Sequence, residues 1–163
     1  MRSVDVKVNI DDAGLPRSAV AEARIDRPLA DVWKVVDDVD RYAERVPMMH
    51  RVRRTGDRAT IDLKFKISLF SVGFQFVVDI VRKNEEWLEL RWVSGEPRGI
   101  RLRFDLEPLD DGAACRLRST GEFDAMSLGW LAKYFLRHHP EIQFGVMPGV
   151  AVGLLESIRR ALP

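Results

Sequence analysis

Between residues 51 and 123 apolar and charged residues alternate along most of the chain, and this pattern constrains the fold more than any other feature. In residues 61–67, for example, apolar side chains at every second position are separated by Asp62, Lys64 and Lys66. Successive side chains of a β-strand point to opposite faces, so each such segment has one apolar and one polar face. The sequence therefore predicts an antiparallel sheet with one buried face and one solvated face.

Turn residues divide this region into strands. We predict strands at residues 51–55, 59–67, 74–82, 87–93, 100–106 and 115–123. Two further alternating segments precede them, at residues 4–10 and 19–25. Between the two groups, the sequence predicts a helix that has Pro28 at its first position and is capped by Asp26 or Arg27, followed by a shorter helix at residues 40–46. The first helix carries an apolar stripe of Leu29, Val32, Trp33 and Val36.

Helical spacing returns after Ser127. Trp130, Leu131, Tyr134 and Phe135 form one apolar face before Pro140. Beyond it, apolar residues recur every four positions, at Ile142, Val146, Val150, Leu154, Ile158 and Leu162. We expect this stripe to cover the apolar face of the sheet, and Pro148 to kink the helix that carries it.

Composition limits the class of protein. The 163 residues are 46% hydrophobic and 31% charged, which is typical of one globular domain spanning residues 1–163. With 26 Lys and Arg against 25 Asp and Glu, the chain lacks the basic excess of a nucleic-acid-binding surface. One cysteine, Cys115, excludes an internal disulfide framework. Residues 142–155 are uncharged but too few for a membrane span, and the N-terminus lacks an apolar signal core, so we expect a soluble, cytoplasmic protein.

The first third of the chain carries a family resemblance. The residues that support it are the segment 21–28 (Ala-Glu-Ala-Arg-Ile-Asp-Arg-Pro), Val32, Trp33, Val36, Asp38, Tyr42 and Pro47. With the order of the predicted elements, they make the chain similar to the START-like (SRPBCC) superfamily, which includes polyketide cyclases/dehydrases, ubiquinone-binding START proteins and birch-pollen-allergen relatives. The resemblance implies an α+β helix-grip fold: a curled antiparallel sheet of about seven strands around a long C-terminal helix, with two short helices after the first strand region. The segment at residues 4–10 departs from this pattern, and we expect an added edge strand or an extended first hairpin there.

The same resemblance implies an elongated apolar cavity between the sheet and the last helix. We predict binding or transport of an apolar small molecule there, such as a lipid, an isoprenoid or a polyketide-like compound. The predicted ligand-binding residues are Leu63, Phe65, Phe76, Val78, Trp92, Phe104, Leu117, Ser119, Met147 and Leu154. A fully packed core is the alternative interpretation of these residues. The alternative function is a polyketide aromatase/cyclase that uses the same cavity.

Residues suited to acid–base catalysis are scarce. Related cyclases use Arg and Tyr side chains that line the cavity, and the candidates here are Tyr42, Arg98 and Tyr134, none on a matching motif. The three histidines, His50, His138 and His139, are further candidates. All six residues are predicted on helices or loops, where solvent exposure is the default, and we expect at most one of them to reach the cavity. Cys115 is predicted to be a small buried apolar residue. No metal-binding motif is present, and we predict neither a metal nor a cofactor.

Two surface features suggest partners. The predicted hairpin tip at residues 69–74 is apolar, although such tips are normally polar. We therefore expect Phe70 and Val72 either to fold over the cavity mouth or, with Trp130 and Tyr134, to make transient contact with a membrane or a donor protein. A protein-interaction module that uses the sheet edge or this tip is a third functional class. Arg51, Arg53, Arg54 and Arg58 form a basic cluster without aromatic neighbours, and we predict a solvated hairpin rather than an RNA-binding surface.

Overall fold

The computed structural model describes residues 3–67 and 69–163, and it confirms the predicted α+β class. The strands are β1 (Asp5–Ile10), β2 (Pro16–Ile25), β3 (Met49–Thr55), β4 (Arg58–Ile67), β5 (Phe70–Lys83), β6 (Trp87–Gly95), β7 (Arg101–Leu109) and β8 (Ala114–Glu122). The helices are α1 (Leu29–Asp37), α2 (Tyr42–Arg45), α3 (Gly129–His138) and α4 (Gln143–Ala161).

All eight strands form one antiparallel sheet, in the order β1-β2-β8-β7-β6-β5-β4-β3. The expected count of about seven strands is therefore one too low. The difference is the segment that departs from the family pattern, because β1 pairs with β2 over its whole length and becomes an edge strand. β5 is also longer than predicted, since it begins at Phe70 rather than at residue 74.

The two faces of the sheet separate as the alternation predicts. Most of the described apolar face is buried, from Ile61, Phe76 and Val78 to Phe104 and Leu117. The opposite face carries cross-strand ion pairs such as Arg58–Asp79 and Arg118–Glu22. Burial of one face and hydration of the other fix the register, because a slip of one residue would invert every side chain.

Helix α1 buries Val32, Trp33 and Val36 of its predicted stripe. It begins one residue later than expected, at Leu29, and Pro28 occupies the N-cap position without a side-chain cap. The second short helix is reduced to α2, preceded by a 3₁₀ turn at Val39–Arg41.

Helix α4 runs through Pro148 without a break, but the predicted stripe is wrong in its first half. Ile142 and Val146 are exposed, and the buried residues of α4 are Gln143, Met147, Ala151, Leu154, Leu155, Ser157 and Ile158. Each step of four residues advances a side chain by 400°, so a strict four-residue repeat drifts about 40° per step and leaves the core-facing side. No helix among residues 3–67 and 69–163 is long and apolar enough to cross a membrane.

Candidate ligand-binding site

The predicted ligand-binding residues lie on the apolar face of the sheet and on the inner side of α4. Leu63 and Trp92 are half-buried, and the side chain of Phe65 lies outside the described part of the chain. The others are buried: Phe76, Val78, Phe104, Leu117, Ser119, Met147 and Leu154. The fold thus brings the described members of the set into one apolar interior.

Helix α4 packs over one half of the sheet, with β1, β2 and β8 as its main strand neighbours. The Ser119 hydroxyl donates to the carbonyl of Ala151 at 2.6 Å and joins β8 to the helix. Two residues along β8, a Cβ on Gly121 would lie 2.9 Å from Cγ1 of Val150, so glycine permits the close approach. Ser119, predicted to bind the ligand, therefore already donates its hydroxyl proton to α4.

The other half of the sheet, β4 to β6, lies away from this close contact between β8 and α4. Its apolar side chains become less buried toward one end, where Leu63 and Trp92 are half-buried. Phe123 and Met126, which follow β8 at the same end of the sheet, are also half-buried. This apolar rim is the part of the interior that is nearest to solvent.

The interior offers little titratable chemistry. Tyr42 is fully buried, contrary to the expected exposure, and its hydroxyl donates to the carbonyl of Val36 at the end of α1. Its ring packs edge-to-face on Phe104, with centroids 6.1 Å apart. Burial raises the pKa of Tyr42 far above its ordinary value, so this residue stays protonated. Burial also raises the pKa of the Cys115 thiol to about 11, which agrees with an unreactive buried cysteine.

The remaining catalytic candidates face solvent. Arg98, His50, His138 and His139 are exposed, and so is Tyr134. Tyr134 stacks against the His138 ring, with centroids 4.3 Å apart. The structure therefore brings one of the six polar candidates, Tyr42, into the interior. Within residues 3–67 and 69–163, no three His, Cys, Asp or Glu side chains are grouped to hold a metal ion.

One buried charge, Glu89, was not singled out by the sequence. It lies on the outer face of β6 and is 2% exposed. Its carboxylate accepts hydrogen bonds from Arg91 and Arg101, both at 2.9 Å, and from Arg103 at 3.3 Å. Burial favours a higher pKa for Glu89, but the hydrogen bonds from Arg101, Arg91 and Arg103 outweigh it and hold the pKa below its usual value. Arg91 on the same strand and Arg101 and Arg103 on β7 were the sequence signal for this cluster, which braces the sheet from outside.

The clefts on the surface include one beside the beginning of β3 and one beside the end of α4. The larger, about 510 Å³, is lined by Met48, Met49, His50, Lys64 and Ser71. The smaller, about 240 Å³, lies beside the end of α4 and is lined by Arg24, Ile25, Asp26, Arg27, Arg159, Leu162 and Pro163. None of the nine predicted ligand-binding residues whose side chains the structure describes lines either cleft.

The basic cluster is a paired surface, in agreement with the predicted solvated hairpin. Arg53 pairs with Asp62, Arg54 lies within 4 Å of Asp40 and Asp57, and Arg58 pairs with Asp79.

The exposed apolar residues agree only in part with those that the sequence predicts. Leu69 at the hairpin tip is 94% exposed, whereas Val72 is half-buried and the side chain of Phe70 lies outside the described part. Trp130 is 80% exposed, as predicted. Tyr134, predicted to join the same contact, is also exposed. The structure adds further exposed residues on α3 and around the beginning of α4, which are Phe135, Ile142, Phe144 and Val146.

Comparison with known proteins identifies the family of this arrangement. The profile of the family described as polyketide cyclase / dehydrase and lipid transport matches residues 25–140, well over half of the chain. No curated protein matches the chain by sequence.

Solved structures show the same fold at low identity. A Thermus thermophilus protein is 13% identical, with a TM-score of 0.67 over 86% of this chain and 93% of that one. A START superfamily protein from Mycobacterium smegmatis is 12% identical, with a TM-score of 0.59 over 88% and 98%. The Zhui aromatase/cyclase from Streptomyces sp. R1128 is 17% identical, with a TM-score of 0.55 over 88% and 94%.

Proposed function

Because the chain belongs to the polyketide cyclase / dehydrase and lipid transport family, we propose that it binds an apolar small molecule between the sheet and α4. The ligand class is a lipid, an isoprenoid or a polyketide-like compound. Its proposed walls are the ten residues predicted from the sequence, with Phe76, Trp92 and Phe104 as the aromatic contacts. The half-buried rim around Leu63 and Trp92 is the proposed entrance.

The observation that carries the proposal is the chemical character of the interior. Apart from Cys115, the described inward-facing positions of the sheet are aliphatic, aromatic or small, and Tyr42 of α2 is the one titratable candidate buried against them. Burial raises the pKa values of both Tyr42 and Cys115. Apolar walls with few polar groups suit a binding protein. Acid–base catalysis needs a positioned group with a pKa near the working pH. Because the pKa values of Tyr42 and Cys115 are raised, the interior favours ligand binding over catalysis.

A polyketide aromatase/cyclase is the second candidate, and one observation favours it. Tyr42 is buried against Phe104 and is the one candidate of the six that reaches the interior. In a cyclase its hydroxyl would have to leave the Val36 carbonyl and donate to a ketone oxygen of the substrate. That exchange of hydrogen bonds makes catalysis the weaker of the two proposals.

Ligand binding is tested with an apolar fluorophore titrated into the protein. We expect a dissociation constant on the order of micromolar, which corresponds to roughly −8 kcal/mol. The substitution Phe104→Arg puts a charge into the proposed wall and should abolish binding. Ile10→Arg, at an exposed apolar position of the edge strand β1, is the matched control and should bind like the parent.

A second variant keeps the test decisive if Phe104→Arg fails to fold by circular dichroism. Trp92 is half-buried, so Trp92→Ala should be tolerated and should weaken binding about tenfold or more, since an aromatic side chain offers roughly 150–250 Å² of contact. Undiminished fluorophore binding in a folded Phe104→Arg or Trp92→Ala protein would rule out this wall.

Carrier and cyclase differ in their pH dependence and in their products. For a carrier, ligand affinity should be nearly flat between about pH 6 and 8, because no histidine lies in the interior. A cyclase should convert a poly-ketone substrate into a ring product, and Tyr42→Phe should abolish that conversion. Conversion that depends on Tyr42 would replace the carrier proposal with the enzyme.

An apolar ligand needs a route to and from its source. We place this exchange at the end of the sheet that carries the hairpin tip and α3, by transient contact of Phe70, Val72 and Trp130 with a membrane or a donor protein.

A further inference from the structure

Helix α3 exposes nearly all of its described length. Leu136 is its one described residue that is buried, whereas Trp130, Tyr134 and Phe135 are 80%, 55% and 48% exposed. A surface helix normally turns its apolar side inward. Here three aromatic rings lie on the outside of a ten-residue helix.

The exposed side of α3 carries basic residues beside its aromatic residues. Each residue advances about 100° around a helix, so Trp130 and Tyr134 lie about 40° apart. Lys133 and Arg137 lie beside them on one flank, and Leu136 lies far from Tyr134 on the opposite side. We call the surface formed by Trp130, Lys133, Tyr134, Phe135 and Arg137 the α3 face.

The cations of the α3 face are not neutralised. Neither Lys133 nor Arg137 forms an ion pair with any residue of the described part of the chain. Residues 125–140 contain no Asp or Glu, although the chain has 25 of them. Elsewhere on the surface, Arg and Lys residues commonly pair with carboxylates, as in Arg58–Asp79 and Lys83–Glu86.

The apolar surface continues beyond α3. Ile142, Phe144 and Val146 at the beginning of α4 are exposed, and residues 142–155 carry no charge. The hairpin tip with the exposed Leu69 projects from the same end of the sheet, since β5 begins and β8 ends there. The exposed apolar residues thus lie on α3, around the beginning of α4 and at the hairpin tip.

We propose that the α3 face docks on a membrane that contains anionic lipids. Trp, Tyr and Phe side chains are suited to the headgroup region, and flanking Lys and Arg are attracted by anionic lipid. This inference rests on the proposed function and deepens its exchange step. It names a membrane as the partner in that exchange and α3 as the part of the protein that makes the contact.

The test measures binding of the purified full chain to vesicles by co-sedimentation. Vesicles of phosphatidylcholine alone are compared with vesicles that also contain phosphatidylglycerol. Binding should require phosphatidylglycerol and should weaken as salt is added. Trp130 emission should shift to the blue on binding, and Trp130→Phe should lose most of that shift, because Trp33, Trp87 and Trp92 are buried or half-buried.

Two pairs of variants locate the contact. Each basic residue near an anionic surface contributes about fivefold, so Lys133→Gln with Arg137→Gln should weaken binding by about 30-fold. Lys7→Gln with Arg17→Gln, at exposed positions of β1 and β2, is the matched control and should have little effect. Trp130→Ser with Tyr134→Ser should weaken binding at least about tenfold, whereas Val6→Ser with Ile10→Ser should not.

Three results would overturn the proposal: no binding to either kind of vesicle, equal binding to both kinds, or equal loss in the α3 and control variants. Association of the α3 face with an acidic protein in the absence of vesicle binding also overturns it and assigns the face to a protein partner. The fluorophore titration, carried out without vesicles, separates this test from the proposed function. If the protein binds vesicles but no fluorophore, the proposed interior site is wrong and the membrane proposal stands. If it binds the fluorophore but no vesicles, the membrane proposal is wrong and the interior site stands.

Discussion

Replacing Glu89 by Gln tests whether a buried carboxylate braces the outer face of the sheet. The substitution preserves the shape of the side chain and one acceptor oxygen but removes the charge. Three arginines then face one another around a neutral group. Arg91, Arg101 and Arg103 each lose a charge-assisted hydrogen bond, with side chains that are 59%, 44% and 24% exposed.

The magnitude follows from this geometry. Removing one partner of a fully buried ion pair costs about 3–5 kcal/mol, because the remaining charge is left without water. The three arginines are partly exposed and regain water, so the expected loss is smaller, about 2–3 kcal/mol in the free energy of unfolding. The measurement is urea unfolding at pH 7, followed by far-ultraviolet circular dichroism.

The pH dependence gives a second readout with a definite sign. The pKa of Glu89 is lowered in the folded protein, whereas an unfolded Glu has a pKa of about 4.3. The contribution of Glu89 to stability is therefore present above about pH 4.3 and is lost as the pH falls through the folded pKa. The difference in the free energy of unfolding between the parent and Glu89→Gln should therefore shrink as the pH falls below about 4.3.

Glu44→Gln is the matched control, because Glu44 pairs with Arg41 on the surface, where both side chains are more than half exposed. Such pairs contribute only about 0–1 kcal/mol. An equal effect of the two substitutions at pH 7, or a Glu89→Gln effect that does not diminish in acid, would refute the bracing role.

Three further substitutions test the interior. Trp33→Ala removes the largest side chain in the buried stripe of α1 and should lower the free energy of unfolding by about 3–5 kcal/mol, measured in urea; a parent-like midpoint would show that Trp33 does not anchor the core. Tyr42→Phe leaves the carbonyl of Val36 without its buried donor and should cost about 1–3 kcal/mol in the same assay, with fluorophore affinity unchanged for a carrier. Ser119→Ala removes the hydrogen bond to Ala151 and should cost about 1 kcal/mol; weaker fluorophore binding at unchanged stability would instead favour a ligand contact.

Strand placement and strand faces were available from the sequence, because they depend on local alternation. The predicted strand at residues 59–67 differs from β4 by one residue, and the predicted inward side chains Ile61, Phe76 and Phe104 are buried. A period of two, interrupted by turns, leaves little freedom in the side to which each residue points. The burial of Val32, Trp33 and Val36 follows in the same way from helical spacing.

The helical end of the chain was less predictable, because a helix can turn several faces toward a core. The repeat from Ile142 to Leu162 was predicted to face inward throughout, yet Ile142 and Val146 are exposed. The face that packs was decided by the close contact of Gly121 with Val150 and by the Ser119–Ala151 hydrogen bond, both between segments distant in sequence.

For the candidate site, the sequence determined which residues are apolar and face inward, while the tertiary structure decided which polar groups join them. Tyr42 was expected at the surface, but packing of α1 and β7 around it buries its ring and directs its hydroxyl to Val36. Glu89 occupies an outward position of β6, and its burial depends on arginines from β6 and the neighbouring strand β7. Periodicity reports the direction of a side chain relative to its own strand or helix. Burial of a polar group depends on partners that only the assembled sheet and helices bring within hydrogen-bond distance.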